Sequence, residues 1–263
     1  MILIRLVGGL GNQLFQLSYA LYLRGNQSLP IYLDTSAMGN YETPRELTIN
    51  KIVDLDVLNV HLYQGRSLIN KFRMVRLFSL SMFGVFFIND SSVREQPVRL
   101  RKAFLDGYFI KSVSQDIFIS GVERIREALK PNLMTFPPNC RSDVCVLHIR
   151  GGDFLNDKKY NICDETYYSL MVEKVKKCKG ISNFIILSED VEYASKLAKG
   201  MGINAEVCSG TLEEDFEMLF HSKHVIGSNS TFCFWARALS SDPSKSTYLP
   251  AWWDRDSERS IYF

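Results

Sequence analysis

The 263-residue chain contains no apolar run long enough to cross a bilayer. Its longest nearly apolar run, Leu77–Ile88, is shorter than the ~20 residues that a membrane-spanning helix needs. A signal peptide is also missing, because the apolar start Met1–Val7 breaks at once into Gly8, Gly9 and Gly11. We therefore predict a soluble protein.

An excess of one charge is missing as well. Lys and Arg number 31 against 29 Asp and Glu, a formal net charge of +2. Nucleic-acid binders are usually strongly basic, so no nucleic-acid partner is expected. With 46% hydrophobic and 23% charged residues the composition is that of a globular chain, which excludes disorder over most of its length. The length suits one large domain or two small ones.

The cysteines form no C-x-x-C pair, and no histidine lies at a finger-like spacing, so a zinc site is not expected. The six cysteines are Cys140, Cys145, Cys163, Cys178, Cys208 and Cys233. Their even number also fits disulfides. Without a signal peptide, free thiols in a reducing cytoplasm are the preferred interpretation.

A local basic excess lies between His61 and Lys102, with eight Lys and Arg against Asp90 and Glu95. The favoured interpretation is a solvated helix face and loop. The alternative is a basic, aromatic-rich surface that rests on anionic lipid, as a peripheral contact at the inner membrane face. The wider segment, residues 54–111, has a less regular pattern.

The first residues predict a strand at Ile2–Val7, a helix at Asn12–Arg24 and a strand at Leu29–Leu33, hence a parallel pair with a crossover helix. Three prolines make Lys130–Asn139 a connector. We place the boundary there, between an N-terminal half (1–139) and a C-terminal half (140–263).

Strands and helices alternate clearly after that connector. Strands are predicted at Val144–Ile149, Phe184–Leu187, Ala205–Cys208, His224–Ile226 and Thr247–Leu249. Helices are predicted at Thr166–Lys179, Val191–Ala198, Glu214–His221 and Thr231–Leu239. This pattern is typical of an open parallel sheet. The predicted fold class is α/β, with two Rossmann-like halves and a cleft between them.

Ligands of such sheets bind beyond the carboxyl ends of the strands, where polar residues and glycines recur in this chain. These strand ends are Gly8–Gln13, Arg150–Asp153, Ser188–Asp190 and Gly227–Thr231. His148 and Arg150 point to the same side of their strand, since the side-chain period is two. Together with Asp153 they suit an anionic ligand, and a buried Arg–Asp pair beside a core histidine is an equally weighted alternative.

The other strand ends also allow two interpretations. The run Ser228-Asn229-Ser230-Thr231 either binds phosphate with the free amides of a helix start or simply caps that helix. The carboxylates of Glu189 and Asp190 either contact ribose hydroxyls or a base edge, or complement a helix dipole.

Two weaker patterns were considered. Gly9-x-Gly11, with Asp34 at the end of the next strand, resembles a dinucleotide-binding turn, but Leu14 stands where the third glycine belongs. An NAD-binding oxidoreductase is therefore a low-ranked alternative. The D-x-D triplets at 54–56 and 254–256 lie at no clear strand end of the second half, so no metal is expected. There is also no P-loop and no nucleophile elbow.

Five motifs in order resemble the bacterial α-1,2-fucosyltransferases, glycosyltransferase family 11, over nearly the whole chain. They are Gly8–Gln16, Leu105–Phe109, His148–Phe154, Ser188–Asp190 and the block His224–Trp235. The resemblance implies the GT-B arrangement, with the acceptor on the side of the N-terminal half and GDP-fucose held mainly by the C-terminal half. It also implies inversion without a metal or other cofactor.

The resemblance also implies the site residues. Arg150 would contact the diphosphate, with His148 and Asp153 as the other catalytic candidates. The residues implied to bind GDP-fucose are Gly9, Gly11, Asn12, Glu189, Asp190, Asn229, Ser230, Thr231 and Phe232. The acceptor would be a galactose-containing oligosaccharide or a lipid-linked glycan, attacking the fucose anomeric carbon as GDP leaves. Candidates for the base are Asp157, Asp153 and His148.

Some positions depart from the family pattern. Gly151 stands where the family has a second Arg, Cys233–Trp235 replaces Ser-Trp-Trp, and Ala236-Arg237 replaces Gly-Ala. The loss of one guanidinium is expected to weaken stabilisation of the leaving group. A catalytically weakened GDP-sugar-binding homologue is therefore a further alternative.

Overall fold

The structure, a computed structural model, describes residues 1–40, 45–63, 85–95, 101–134, 142–152, 155, 157–251 and 254. It divides into two compact units, Met1–Asn132 (unit 1) and Leu133–Phe263 (unit 2). The division falls seven residues before the predicted boundary at Asn139, and residues 135–141 lie outside the described part. The assignment of acceptor and donor to the two halves stays a prediction.

Unit 1 holds a five-stranded parallel sheet in the order β3-β2-β1-β5-β4. Its strands are β1 (Ile2–Arg5), β2 (Ile31–Asp34), β3 (Val60–Leu62), β4 (Val85–Ile88) and β5 (Lys102–Leu105). Its helices are α1 (Leu10–Arg24) and α2 (Gln115–Arg126). The predicted pair of parallel strands around a crossover helix is confirmed by β1, α1 and β2. Strands β3, β4 and β5 lie in the segment whose sequence pattern is less regular.

Unit 2 holds a second parallel sheet in the order β10-β9-β6-β7-β8. Its strands are β6 (Val144–His148), β7 (Asn183–Leu187), β8 (Ala205–Cys208), β9 (His224–Ile226) and β10 (Ser246–Tyr248). Its helices are α3 (Glu165–Lys179), α4 (Val191–Gly200), α5 (Leu212–His221) and α6 (Thr231–Leu239). All predicted elements of this half are present, and none of their ends differs from the predicted one by more than two residues. The predicted α/β class with two parallel Rossmann-like sheets is confirmed.

Each sheet reverses its strand order next to its first strand. In unit 1 the chain proceeds from β1 to β2 and β3, and β5 then pairs with the other side of β1. In unit 2 it proceeds from β6 to β7 and β8, and β9 then pairs with the other side of β6. Such switch points open a crevice at the carboxyl ends of the strands, where ligands of open α/β sheets bind. The two crevices lie at β1/β5 and β6/β9.

Alternation along β6 decides which side chain reaches the crevice. Cys145 and Leu147 are fully buried in one core cluster with Tyr168 of α3. His148 points to the opposite face because the side-chain period of a strand is two. There its ring stacks with Phe232 of α6. The last residue of β6 therefore lies at the switch point, against the start of α6.

Candidate functional site

His148 is a buried imidazole tied to both strands of the unit 2 switch point. Its Nδ1 lies 3.0 Å from Oγ of Ser228, which follows β9, and its ring centroid lies 5.8 Å from that of Phe232. The hydroxyl of Tyr168 donates to the His148 carbonyl at 3.1 Å. Burial, reinforced by the charge of Arg150, lowers the pKa of His148 to about 3. The imidazole is therefore neutral at physiological pH.

A neutral His148 makes stability dependent on pH. The unfolded chain protonates this histidine below its ordinary pKa of about 6.5, whereas the folded chain does so only near pH 3, so the free energy of unfolding falls as pH drops through this window. Between pH 7 and pH 5 the loss amounts to about 2 kcal/mol. We expect His148→Gln to lack this loss in urea unfolding at the two pH values. His61→Gln, at an exposed histidine of β3, is the control and should keep the wild-type dependence; an unchanged dependence in His148→Gln would contradict the neutral imidazole.

Arg150, two residues beyond His148, forms an ion pair at the same strand end. Its Nη1 lies 2.9 Å from Oε1 of Glu189, and the two side chains are 20% and 53% exposed. Asp153 is the partner of Arg150 in one of the two interpretations of the sequence, but residues 153 and 154 lie outside the described residues. An anion that approaches the guanidinium from solvent meets a site already occupied by an exposed carboxylate.

Glu189 is therefore expected to compete with an anionic ligand. Exposed ion pairs contribute about 0.2–1 kcal/mol, so Glu189→Gln should tighten GDP binding by about 1.4- to 5-fold. Titration calorimetry measures this directly, and Glu192→Gln, an exposed residue in the first turn of α4, is the matched control. Weaker binding by Glu189→Gln would favour the sequence prediction instead, namely a direct contact of Glu189 with the nucleotide.

Asp190 forms hydrogen bonds with neighbouring residues of the chain. Its Oδ1 caps α4 by accepting from the Tyr193 amide at 3.0 Å, and its own amide donates to Ser188 Oγ at 3.1 Å. The side chain also covers Gly151: a Cβ at position 151 would overlap Asp190 Cβ and lie 2.8 Å from Oδ2. Position 151 therefore has no room for a side chain while Asp190 keeps this position.

The loop after β9 leads into α6. Ser230 is the N-cap of α6 and accepts from the Phe232 amide at 3.3 Å, while the Asn229 amide group donates to the Tyr160 carbonyl at 2.9 Å. Tyr167 of α3 donates its hydroxyl to the Gly227 carbonyl at 2.7 Å. Thr231 is the first residue of α6. The loop is thus anchored by several contacts, and the positive end of the α6 dipole faces the switch point.

The structure thus brings most predicted residues of the second half together at β6, β7 and β9. Two tyrosines and Ser228 support this site although they were absent from the predicted set of site residues. Ser228 belongs to the predicted strand end Gly227–Thr231, although it was not among the residues implied to bind GDP-fucose. Tyr167 and Tyr168 gave no such signal, because both lie at core spacing on a helix. Asp157, a candidate base, is exposed and accepts from the Lys159 amide at 2.9 Å.

The predicted residues of the first half lie at the start of α1 in unit 1. Gly9 is the N-cap of α1, Gly11 lies in its first turn, and the Asn12 side chain covers Gly8, whose φ of 80° favours glycine. Gln13, fully buried, donates to the carbonyls of Gly8 and Glu46 at 3.0 and 2.9 Å. The turn is therefore fixed by a glutamine that belongs to the opening motif but was not among the predicted site residues.

The dinucleotide alternative fits this turn poorly. Asp34 is fully buried, and its Oδ1 accepts from the amide of Ser36 at 3.0 Å. A ribose hydroxyl would need this carboxylate at the surface. The first D-x-D triplet is used locally too, since Asp54 Oδ1 accepts from the Asp56 amide at 3.1 Å.

Asp254, of the second triplet, is buried, and residue 256 lies outside the described residues. Within the described part of the chain no three His, Cys, Asp or Glu side chains gather as metal ligands. The described helices include none with the length and apolarity to span a membrane. Most of the basic segment between His61 and Lys102 is not described, so its contact with lipid stays a prediction.

Comparison with known proteins defines first the class and then the family. The solved structure of NodZ, an α-1,6-fucosyltransferase from Bradyrhizobium co-crystallised with GDP, matches 90% of this chain and 91% of its own with a TM-score of 0.55 at 13% identity. This likeness shows the fold, that of the GT-B fucosyltransferases. The family model for glycosyl transferase family 11 matches residues 109–261, more than half of the sequence. The chain belongs to this family, as its motifs predict.

Two curated relatives from Escherichia coli align over almost the entire chain. An alpha-1,2-colitosyltransferase is 25% identical over 98% of this chain and 94% of its own length. The O-antigen biosynthesis glycosyltransferase WbnK is 23% identical over 97% and 95% respectively. The chain is therefore a fucosyltransferase-like glycosyltransferase of bacterial type.

Proposed function

We propose that the protein transfers L-fucose from GDP-fucose to a hydroxyl group of a glycan, with inversion. The observation that supports this best is the unit 2 switch point, where the Arg150 guanidinium, the neutral His148 and the start of α6 lie at neighbouring strand ends. A guanidinium fork and a helix N-terminus are the groups that bind a diphosphate. Family membership, and the GDP and GDP-fucose complexes of NodZ, support the choice of donor.

The proposed reaction is a single displacement at the anomeric carbon. The acceptor oxygen forms a bond to this carbon while the bond to the diphosphate oxygen breaks. The leaving GDP takes the electron pair, and the proton of the acceptor hydroxyl passes to solvent. Arg150 and the amides at the start of α6 stabilise the charge that develops on the diphosphate. With a pKa of about 3, His148 is a poor proton acceptor, so we assign it hydrogen bonding rather than the role of base.

We further propose that the reaction needs no metal ion, since cationic and amide groups of the chain stabilise the leaving group. The acceptor we propose is a galactose unit, attacking through its 2-hydroxyl, in an oligosaccharide or lipid-linked glycan of a surface polysaccharide. The name of the relative WbnK supports a glycan of this kind. We place the reaction in the cytoplasm, where nucleotide-activated sugars are available.

A second candidate donor is nucleotide-activated colitose. The alpha-1,2-colitosyltransferase that aligns with 98% of the chain supports this candidate. A competition assay separates the two candidates. Both activated sugars are offered at equal concentration with one acceptor, and the mass of the product shows which sugar was transferred.

Thermal unfolding tests the proposed nucleotide site directly. GDP at about 100 times its Kd is expected to raise the melting temperature in EDTA, because ligand binding at this excess stabilises the folded state by about 2.7 kcal/mol. NADH serves as the comparison nucleotide. A shift with NADH and none with GDP would contradict the proposal and favour the dinucleotide alternative at Gly9, Gly11 and Asp34.

A further inference from the structure

The second switch point, between β1 and β5 in unit 1, carries an exposed aromatic residue. β5 ends at Leu105, and the chain then turns through Asp106 and Gly107 to Tyr108, which is 41% exposed. Asp106 pairs with Arg5 at the end of β1 at 2.6 Å, so these two charges neutralise each other. The turn after β5 thus exposes an aromatic ring close in sequence to an ion pair whose charges cancel.

Several contacts hold this turn in one conformation. The Asp90 carboxylate accepts from the amides of Tyr108 and Phe109 at 2.9 and 2.7 Å. It also leaves no room for a Cβ at Gly107, which would lie 2.6 Å from Asp90 Oδ2. Gln16, fully buried in α1, donates to the Gly107 carbonyl at 3.0 Å and so ties the turn to the opening motif.

The residue after Tyr108 is in a strained conformation. Phe109 has a φ of 54°, which is uncommon for a bulky residue, and its side chain is fully buried. Its ring stacks on Tyr19 of α1 with centroids 4.5 Å apart. Backbone strain of this kind costs about 1–3 kcal/mol and concentrates at ligand sites. Packing Phe109 inward fixes the backbone from which Tyr108 projects.

We propose that Tyr108 is the aromatic platform of the acceptor subsite, on which the apolar face of a hexopyranose packs. This inference rests on the proposed function, because that function supplies a sugar acceptor. A pyranose ring has one face that consists of C–H groups. When this face of the sugar packs on the flat ring of a tyrosine it is removed from water, while the sugar hydroxyls remain solvated. A fixed platform also lowers the ordering cost of binding.

Kinetics of three variants test the inference. With an acceptor that the wild-type protein fucosylates, Tyr108→Ala is expected to raise the acceptor KM about 10-fold or more, which is the effect of losing an aromatic anchor. The kcat and the KM for GDP-fucose should stay unchanged. Tyr108→Phe keeps the ring and should stay within about 3-fold of wild type. Ile119→Ala, at a 43% exposed residue of α2, is the control for loss of exposed apolar surface. An unchanged acceptor KM in Tyr108→Ala, or a parallel fall in slow GDP-fucose hydrolysis, would overturn the inference.

A binding measurement separates failure of this inference from failure of the proposed donor. In protein labelled with 3-fluorotyrosine, the Tyr108 resonance is assigned by its loss in Tyr108→Phe and followed during titration with methyl β-D-galactopyranoside. A saturable shift supports the platform even when GDP-fucose is not a donor. A Tyr108 resonance that does not move, in a protein that transfers fucose to galactosides, overturns the platform and leaves the proposed function intact.

Discussion

Replacement of Arg150 by alanine is expected to lower kcat/KM for transfer by about 10²–10³-fold, the effect of removing one charged donor from a developing oxyanion. The guanidinium follows β6 at the switch point and is 20% exposed, so a ligand can reach it. Arg150→Lys keeps the charge but not the planar fork, and should recover only part of the activity. Steady-state rates with GDP-fucose at fixed acceptor measure both variants.

A matched control exists in unit 1. Arg101→Ala removes an exposed arginine directly before β5, at the amino end of that strand, whereas ligands of parallel sheets bind at the carboxyl ends. It should keep wild-type rates while changing the net charge equally. If Arg150→Ala retains full transfer, Arg150 is not the residue that stabilises the leaving group. Circular dichroism of each variant shows whether the fold is kept.

A substitution that restores the family's second arginine is expected to lower both the stability of the fold and the affinity for GDP. Gly151→Arg must displace Asp190, whose Cβ a new Cβ would overlap, and so loses the cap of α4. Overpacking together with a lost N-cap costs about 2–4 kcal/mol of stability. Gly151→Ala should show most of the same loss, because the overlap begins at Cβ. GDP affinity should fall rather than rise in both variants.

Two controls isolate this effect. Gly39→Ala adds a Cβ where no atom lies within 4 Å and should leave the free energy of unfolding nearly unchanged. The double variant Gly151→Ala/Asp190→Gly removes the overlapping atoms, so its destabilisation should be smaller than the sum of the single variants. Higher GDP affinity in Gly151→Arg would contradict this account and would mean that the missing arginine does limit binding.

The elements of unit 2 could be predicted because most of its strands are short apolar runs and its helices have clear ends. Unit 1 was less predictable. No helix was predicted at α2, which contains Gly121 in its middle. An internal glycine weakens a helical sequence pattern. In the structure a Cβ at Gly121 would overlap Ser18 of α1, so the glycine permits the two helices to pack closely. The glycine at this position is thus explained by a tertiary contact, which a local sequence pattern does not reveal.

The sequence predicted which strand ends carry the polar residues of the site, but not which of these side chains contact one another. Which carboxylate meets Arg150 depends on the pairing of β6 with β7, and the structure pairs the guanidinium with Glu189. Whether His148 is neutral depends on its burial against Phe232 and Ser228. The capping and ligand interpretations of Ser230 and Asp190 cannot be separated by sequence, because the same hydroxyl and carboxylate serve either purpose. In the structure both side chains cap helices.

The central claim is that the site at β6 and β9 uses a GDP-linked fucose as donor. The most direct measurement incubates the purified protein in EDTA with isotope-labelled GDP-fucose and an array of galactose-terminated acceptors, followed by NMR of the product. We expect transfer of fucose to an acceptor hydroxyl with the α configuration, and loss of this transfer in Arg150→Ala but not in Arg101→Ala. Absence of both transfer and GDP release with GDP-fucose would contradict it.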